Sequence, residues 1–355
     1  MKIVVVFGGK SVEHEISIIS AFQVIEALSV EHKVYPVYIT RDNKFYYDKS
    51  MKDIEYFKSK KRNFKKENIR FFKKKDRCYF RGRKKHYFDM IFPIVHGKGS
   101  EDGSVLNYFR FEGFPVVGTD VGFYQIAQNK ALSKRVLDGL GIDNVGYKII
   151  KRGDNYCKKD FRFPCIVKPN NLGSSLGISV AYDYIELEKA ISLCFKIDNE
   201  VLVEAYLSGC KEYNIAVLNN SGEIEVSEIE EVVKGEIFSF EDKYLSGNKK
   251  SGLASQNRKR QSAIVDKDLQ MSIENVAKKI YKEFGASGVV RIDFLYKDKL
   301  YVNEINAIPG SYAYYLWDNK YDFLELLNIV LKEAKRANFF LSKTNDLLYK
   351  KVIFK

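Results

Sequence analysis

Two short segments near the C-terminal end place oxygen-bearing side chains at strand spacing. In YVNEINAIPG (301–310), alternate residues of a strand project to one side. Glu304 and Asn306 then stand together behind Val302, with Tyr301, Asn303 and Ile305 facing the other way. Paired polar groups on a partly buried strand need a cation or a hydrogen-bond network to offset their desolvation. Upstream, VVRIDF carries Asp293 on another β-rich run, and the polar YKDKL reads as the hairpin loop between the two. Asp293, Glu304 and Asn306 could therefore converge on one divalent ion. Oxygen donors suit Mg²⁺ or Mn²⁺ better than Zn²⁺, and Mg²⁺ held by few protein ligands is usually completed by nucleotide phosphates. A solvated hairpin edge is the competing explanation, and the motif alone weighs the two evenly.

A second constellation is the loop NNLGSSLG (170–177), with Gly173, Ser174, Ser175 and Gly177 between two β-rich segments. Glycines let backbone N–H groups approach a phosphate, and hydroxyls can donate to it. The G-x-x-x-x-G-K-[ST] spacing is absent, so a mobile hairpin closing over a triphosphate fits better than a P-loop. Lys168, before Pro169, and Lys130 could bring positive charge near that loop. VLVEAYL sets Glu204 near the end of a buried strand, and Glu212 follows after a short connection. A strand end can read an adenine edge and a carboxylate can accept from ribose hydroxyls, although a strand edge turning to solvent is the simpler account. SVEHEIS puts Glu13, His14 and Glu15 before a helix, where capping by Ser11 or Ser17 would suffice to explain the acids. In a cleft, the same carboxylate could hold a substrate ammonium. His96, at the end of a buried run, is on its own more often a hydrogen-bonded structural histidine.

These residues need elements to position them. IVVVF (3–7), the Gly8-Gly9 turn and ISIISAFQVIEAL (16–28) read as strand, turn and helix, the opening of a parallel α/β domain. KVYPVYIT and DMIFPIVHG supply further strands, and FYYD an edge. In open α/β sheets ligands sit beyond the strand C-termini, which brings the Gly8-Gly9 turn and His96 near one another. FYQIAQNKALSKRVLDGLG (123–141) reads as a helical stretch, and the remainder alternates strands with the helices YIELEKAISLCFK, LQMSIENVAKKIYKEFG and YDFLELLNIVLKEAKRAN.

At 355 residues, with 45% hydrophobic and 30% charged positions, the chain can form two or three globular domains. No apolar run is long enough for a membrane span and the N-terminal run is too short for a signal segment, so the expectation is a cytoplasmic protein without a membrane partner. Five cysteines without metal-like spacing read as reduced thiols. The net charge of +13 is local: residues 49–86 hold 17 Lys or Arg against 4 Asp or Glu, and the rest of the chain balances at 42 of each. That argues against nucleic acid as the partner of the whole protein. The basic segment, interleaved with Phe57, Phe64, Phe71 and Phe72, reads chiefly as a solvated surface insertion and secondarily as a polyanion site.

Taken together, GGKSVEHEISIISA, HGKGSEDGSV, Asn129-Lys130, IVKPNNLGSSLGI, VLVEAYLSG, DKYLS, RIDF and NEINAIPG resemble, in order, the D-alanine:D-alanine ligase family of ATP-grasp enzymes. The resemblance covers most of the chain and implies an ATP-grasp α/β fold of three domains. These would be a Rossmann-like 1–120 carrying the basic insertion 49–86, a central ATP-grasp subdomain 121–206 and a C-terminal one 207–355. It implies ATP at Lys130, Lys168, Ser175, Glu204, Leu207, Glu212 and Lys243, and two Mg²⁺ ions, or Mn²⁺, at Asp293, Glu304 and Asn306. Glu13 would take the first substrate's ammonium, Ser174 and Tyr244 would orient it, and His96 would line the substrate site. Arg291 and the Gly310 amide would stabilise a tetrahedral oxyanion. The implied activity joins two D-alanines through an acyl phosphate, for peptidoglycan, in a homodimer. Departures from the family pattern fall in SYAYYLW, where Tyr315 and Leu316 occupy substrate-carboxylate positions, in QNRKRQS, which lacks the usual Pro-Ala, and at Asn129, where Asp is common. They leave D-serine, D-lactate or another amino acid open as acceptor. A polyanion-binding protein with a vestigial ATP site is the reading from another class.

Overall fold

The computed structural model describes residues 1–58, 68–75, 77–232 and 261–352, a mixed α/β chain with three principal sheets and one small one. The IVVVF run forms the centre of β1 (Lys2–Gly8), and every residue after Lys2 in that strand is buried. It pairs in parallel with β2 (Lys33–Ile39) and, from later in the chain, with β7 (Met90–Ile94), while β3 (Phe45–Tyr47) adds an antiparallel edge. A strand flanked on both sides and covered on both faces must be apolar throughout, which is why no alternation shows in the sequence. Helix α1 (His14–Leu28) returns along this sheet. Gly8 has φ +95°, and a Cβ there would lie 2.3 Å from the Ile39 carbonyl, so the turn can pass this close to β2 only without a side chain.

Between β3 and β7 the chain forms the short helix α2 (Glu55–Lys58) and an antiparallel sheet of β4 (Arg70–Lys74), β5 (Arg77–Arg81) and β6 (Lys85–Phe88). The basic segment is therefore not simply a solvated insertion. Phe57, Phe80 and Phe88 are buried in the N-terminal core and Phe71 packs on Phe109, because strand alternation turns one face of the small sheet inward. Phe64 lies outside the described residues.

Helix α3 (Ser104–Phe111) precedes a second departure from expectation: FYQIAQNKALSKRVLDGLG is two helices, α4 (Val121–Gln128) and α5 (Lys130–Gly139). Asn129 takes an extended backbone (φ −92°, ψ 100°), and its side chain accepts from the Leu132 N–H at 2.8 Å. An Asn that caps the next helix competes with continuing the previous one, and the break makes Lys130 the first residue of α5.

The central antiparallel sheet has the order β10, β9, β11, β8, from β8 (Tyr147–Lys151), β9 (Cys165–Pro169), β10 (Ser179–Ala181) and β11 (Glu200–Ala205). With α6 (Tyr184–Cys194) it buries an apolar cluster of its own around Val167, Leu187 and Val201. The Gly/Ser loop connects β9 to β10. The third sheet contains β12 (Lys211–Asn220), β13 (Glu223–Val226), β14 (Glu230–Glu231), β15 (Gln261–Ser262), β16 (Val290–Tyr296) and β17 (Leu300–Asn306). Its core is continuous with that of the N-terminal sheet, and α7 (Lys267–Glu283) and α8 (Phe323–Val352) belong to it. Among the described residues no helix is long and apolar enough to cross a membrane.

One register prediction fails. Asp293 pairs with Glu304 but Phe294 pairs with Val302, so Asn303 is bulged out of β17. Val302 consequently shares the core face with Ile305 instead of standing beside Glu304 and Asn306, and both apolar residues are buried.

Candidate active site

The bulge leaves four polar residues in a square. Arg291 is paired across the ladder with Asn306, and Asp293 with Glu304, while Arg291 and Asp293 are two apart on β16 and share its face. The Arg291 guanidinium donates to both oxygens of Asp293, Nε at 2.7 Å and Nη2 at 2.9 Å, and Asn306 Nδ2 donates to the same carboxylate at 3.1 Å. Glu304 is held by Lys130 Nζ at 3.0 Å. Burial would raise the Glu304 carboxyl, but Lys130, Lys168 and Arg291 hold it below its usual value. For Arg291 the cost of burial is outweighed by Asp293, so the guanidinium stays charged.

Lys130 is aimed by its neighbours. The Asn170 side chain, fully buried at the end of β9, accepts from Ala131 N–H at 2.8 Å and donates to Asn129 and Glu200, and its carbonyl accepts from Lys130 N–H. Lys130 Nζ also donates to the Leu172 carbonyl at 2.7 Å, which ties it to the Gly/Ser loop. Beside it lies a buried triad: Glu204 takes Lys168 Nζ at 2.7 Å on one oxygen and Lys134 Nζ at 2.9 Å on the other. Burial would raise Glu204, and the two lysines together hold it down. Glu204 is thus no strand edge turning to solvent.

The N-terminal sheet supplies the facing wall. The Ser174 hydroxyl donates to Glu13, and the loop runs so close that a Cβ on Gly173 would lie 3.3 Å from Glu13 Oε2. Ser174 and Ser175 both hold positive φ, a conformation that L residues adopt at some cost. Glu13 begins α1, and its own carboxylate caps no helix N–H. The Ser11 hydroxyl accepts from Glu13 N–H, and Ser17 ties the end of β1 to that of β7 by accepting from Gly8 N–H and donating to the Ile94 carbonyl. Burial raises the Glu13 carboxyl, with Ser174 and Lys130 opposing. Gly97, φ +77°, permits the contact of the two loops, because a Cβ there would fall 2.2 Å from Ser11 Oγ.

His96 is buried, shares a 3.1 Å hydrogen bond with Ser20 Oγ, and is pushed down to about 4 by burial. It is a neutral imidazole at physiological pH. Ser20 in turn accepts from Ser311 N–H at 3.5 Å, beside Gly310. Gly310 is exposed and opens a 3-10 segment, Gly310–Leu316, in which Ser311, Tyr312 and Ala313 all have positive φ. Tyr315 reaches Arg291, and burial raises its phenol. Leu316 has no exposed surface and packs in the core. Ser175 is on the same loop as Ser174, while Leu207 and Glu212 are half-buried after β11 and at the start of β12. Lys243 and Tyr244 lie outside the described residues.

Three positioning residues were not singled out from sequence. Lys134 is one helical turn after Lys130 on α5, a spacing that puts both on one face. Glu101 accepts from Gly97 N–H at 2.9 Å and from Ile308 N–H at 3.1 Å, joining the loop after β7 to the segment just before Gly310. In the sequence Asn170 stands out only as part of its loop.

Among the described residues no three His, Cys, Asp or Glu side chains converge as a ready metal cage. The donor set is instead two carboxylates and the Asn306 amide oxygen, each carboxylate neutralised by a cationic side chain. Oxygen donors in that number fit a hard divalent cation that keeps waters and phosphate oxygens in its shell.

The chain matches the family models described as D-ala D-ala ligase N-terminus, over residues 2–119, and D-ala D-ala ligase C-terminus, over residues 136–321. A D-alanine--D-alanine ligase of Thermosipho melanesiensis is 34% identical over 364 residues, covering 99% of each chain. The crystal structure of a D-alanine-D-alanine ligase from Helicobacter pylori is 30% identical with a TM-score of 0.74, covering 94% of this chain and 98% of that one. VanG D-Ala:D-Ser ligase from Enterococcus faecalis is 25% identical with a TM-score of 0.74, covering 94% of this chain and 99% of its own. The order of the sheets, the charged square on β16 and β17 and these matches along nearly the whole length lead to one assignment: the chain belongs to the D-alanine:D-alanine ligase family of ATP-grasp enzymes.

Proposed function

We propose that the protein joins two D-alanines at the expense of ATP, making the dipeptide used in peptidoglycan. The observation that carries this reading is the Arg291, Asp293, Glu304 and Asn306 square, with Lys130 bound to it and Gly310 exposed beside it. A carboxylate is a poor acylating agent. Transfer of the γ-phosphoryl group to the first D-alanine gives an acyl phosphate and ADP, and the amine of the second then attacks the acyl carbon and expels phosphate. Lys130 and Lys168 would face the phosphates, leaving Glu304 and Glu204 as ATP arrives, while Lys134 keeps Glu204 neutralised. Glu13, latched by Ser174, would hold the first ammonium, and Arg291 with the Gly310 N–H would meet the developing oxyanion.

Asp293, Glu304 and Asn306 would hold up to two Mg²⁺ ions, or Mn²⁺, which when bound offset charge on the transferring phosphoryl group. The central sheet has an apolar core of its own, which would let it move as a unit over ATP. Lys243 and Tyr244, Ser175, Leu207 and Glu212 complete the proposed nucleotide and substrate contacts. The reading places the enzyme in the cytoplasm, where its ATP is, as a homodimer that light scattering can check.

Tyr315 favours a second reading of the acceptor. Its phenol reaches Arg291; were this ring to end the acceptor pocket, a D-serine hydroxyl could hydrogen-bond there. ADP release from Mg²⁺-ATP with D-alanine, D-serine, D-lactate and mixed pairs, with mass spectrometry of the products, tests both. D-alanyl-D-alanine as the main product supports the first reading, a D-serine product the second, and no ADP release with any pair overturns both.

A further inference from the structure

The outer face of the small sheet β4 to β6 takes no part in the ligase site. Its register sets Arg70 opposite Arg81 and Arg81 opposite Lys85 in one row, and Lys74 opposite Arg77 in another. Between them runs a row of rings, Phe72 opposite Tyr79 opposite Tyr87. Side chains two apart on a strand share a face, so all three rows point the same way, while Phe80 and Phe88 point into the core. Phe72 and Tyr79 are stacked, with centroids 5.2 Å apart and planes 17° apart, and Tyr87 lies 5.5 Å beyond. Phe72 is 38% and Tyr87 42% exposed.

Cross-strand aromatic pairs stabilise a sheet on their own, but like charges directly opposite destabilise it. Here every charged pair on the face is cation against cation, and among the described residues no carboxylate stands in the three rows. Asp89, just beyond β6, is occupied by the Lys2 N–H at 2.7 Å. Lys85 Nζ lies over the Tyr79 ring, 5.3 Å from its centroid, which leaves Phe72 and Tyr87 as the rings most open to water. A face that holds its cations together against their repulsion beside open rings is complementary to a polyanion that carries planar groups.

We propose that this face binds single-stranded nucleic acid, with phosphates along the Arg70, Arg81 and Lys85 row and two or three bases, roughly, on the ring row. Single strands fit better than duplex because the rings are offered to unpaired bases. The surface is distinct from the ATP-grasp site and would tether the ligase without entering its reaction.

The test is fluorescence anisotropy of the full chain with a labelled oligouridylate of about ten nucleotides over a range of salt. Combined Phe72→Leu and Tyr87→Leu keeps apolar bulk but removes the rings, and should weaken binding about tenfold with an unchanged salt slope. Combined Arg70→Gln, Arg81→Gln and Lys85→Gln should reduce the slope of log affinity against log salt by about two. Cooperative thermal unfolding and unchanged ADP release show that each variant is folded. The proposal fails if the leucine variant binds like the parent, or if no binding occurs at low salt. It fails equally if inorganic polyphosphate displaces the oligonucleotide as well as unlabelled oligouridylate does, or if phosphatidylglycerol vesicles bind and the oligonucleotide does not.

Discussion

The Ser174 hydroxyl donates to the Glu13 carboxylate, so a loop of the central sheet is latched to the first turn of α1. The latch joins a segment of positive-φ serines to the residue proposed to hold the first ammonium. Ser174→Ala removes one charge-assisted bond and should raise KM for the first D-alanine about tenfold, with KM for ATP little changed. Glu13→Gln removes the charge as well and should lower kcat/KM for D-alanine about a hundredfold. Equal effects on both KM values for Ser174→Ala would mean that the latch only shapes the loop.

Lys134 and Lys168 divide the oxygens of Glu204 between them inside the protein. Lys168 can turn to a phosphate only if the remaining lysine neutralises the carboxylate, since an unpaired buried charge is costly. Lys134→Met should therefore raise KM for ATP about tenfold and lower stability by about 1–3 kcal/mol. Lys134→Arg, which keeps the charge, should recover KM. If the methionine variant melts earlier but binds ATP normally, Lys134 is structural only.

Much of this site was legible in the chain and some of it could not be. Glu304 and Asn306 declared themselves by strand spacing, and Lys168 by its place before a proline and a Gly/Ser loop. The opening β1 run and its glycines were readable because a twice-flanked parallel strand has no polar face. Val302 was misread because a one-residue bulge leaves no mark in an apolar and polar alternation. The break at Asn129 was missed because an Asn can either continue a helix or cap the next one, and the contact that decides it, Asn170 to Asn129, spans 41 residues. Lys134 and Glu101 act through partners distant in sequence, so only the fold reveals them.

Arg291 meets Asp293 through two parallel bonds, and only a planar guanidinium makes that geometry. Held there, it meets the Tyr315 phenol. Arg291→Lys keeps the charge but loses the fork, and kcat should fall about a hundredfold, as for loss of one oxyanion donor. Steady-state ADP release measures it. A variant with normal kcat and raised KM would place Arg291 in binding instead of catalysis.

Glu101 accepts two backbone N–H groups, from Gly97 and Ile308, in a site where burial pushes its carboxyl up to about 8. The unfolded chain loses this proton near its ordinary value of 4.5, whereas the folded protein keeps it until about 8. Its contribution to stability is therefore complete below that lower value and is lost as pH rises towards the upper one. Glu101→Gln does not titrate, so the fall of Tm between those two pH values should flatten. The glutamine must also turn an NH₂ group towards one of the two amides, which lowers stability at acid pH by about 1–3 kcal/mol. Because Ile308 lies two residues before Gly310, kcat should fall about tenfold while KM for ATP holds. Thermal melts of both proteins across that range decide the matter: parallel Tm curves would show that Glu101 is already ionised and that the loss of stability comes from another group.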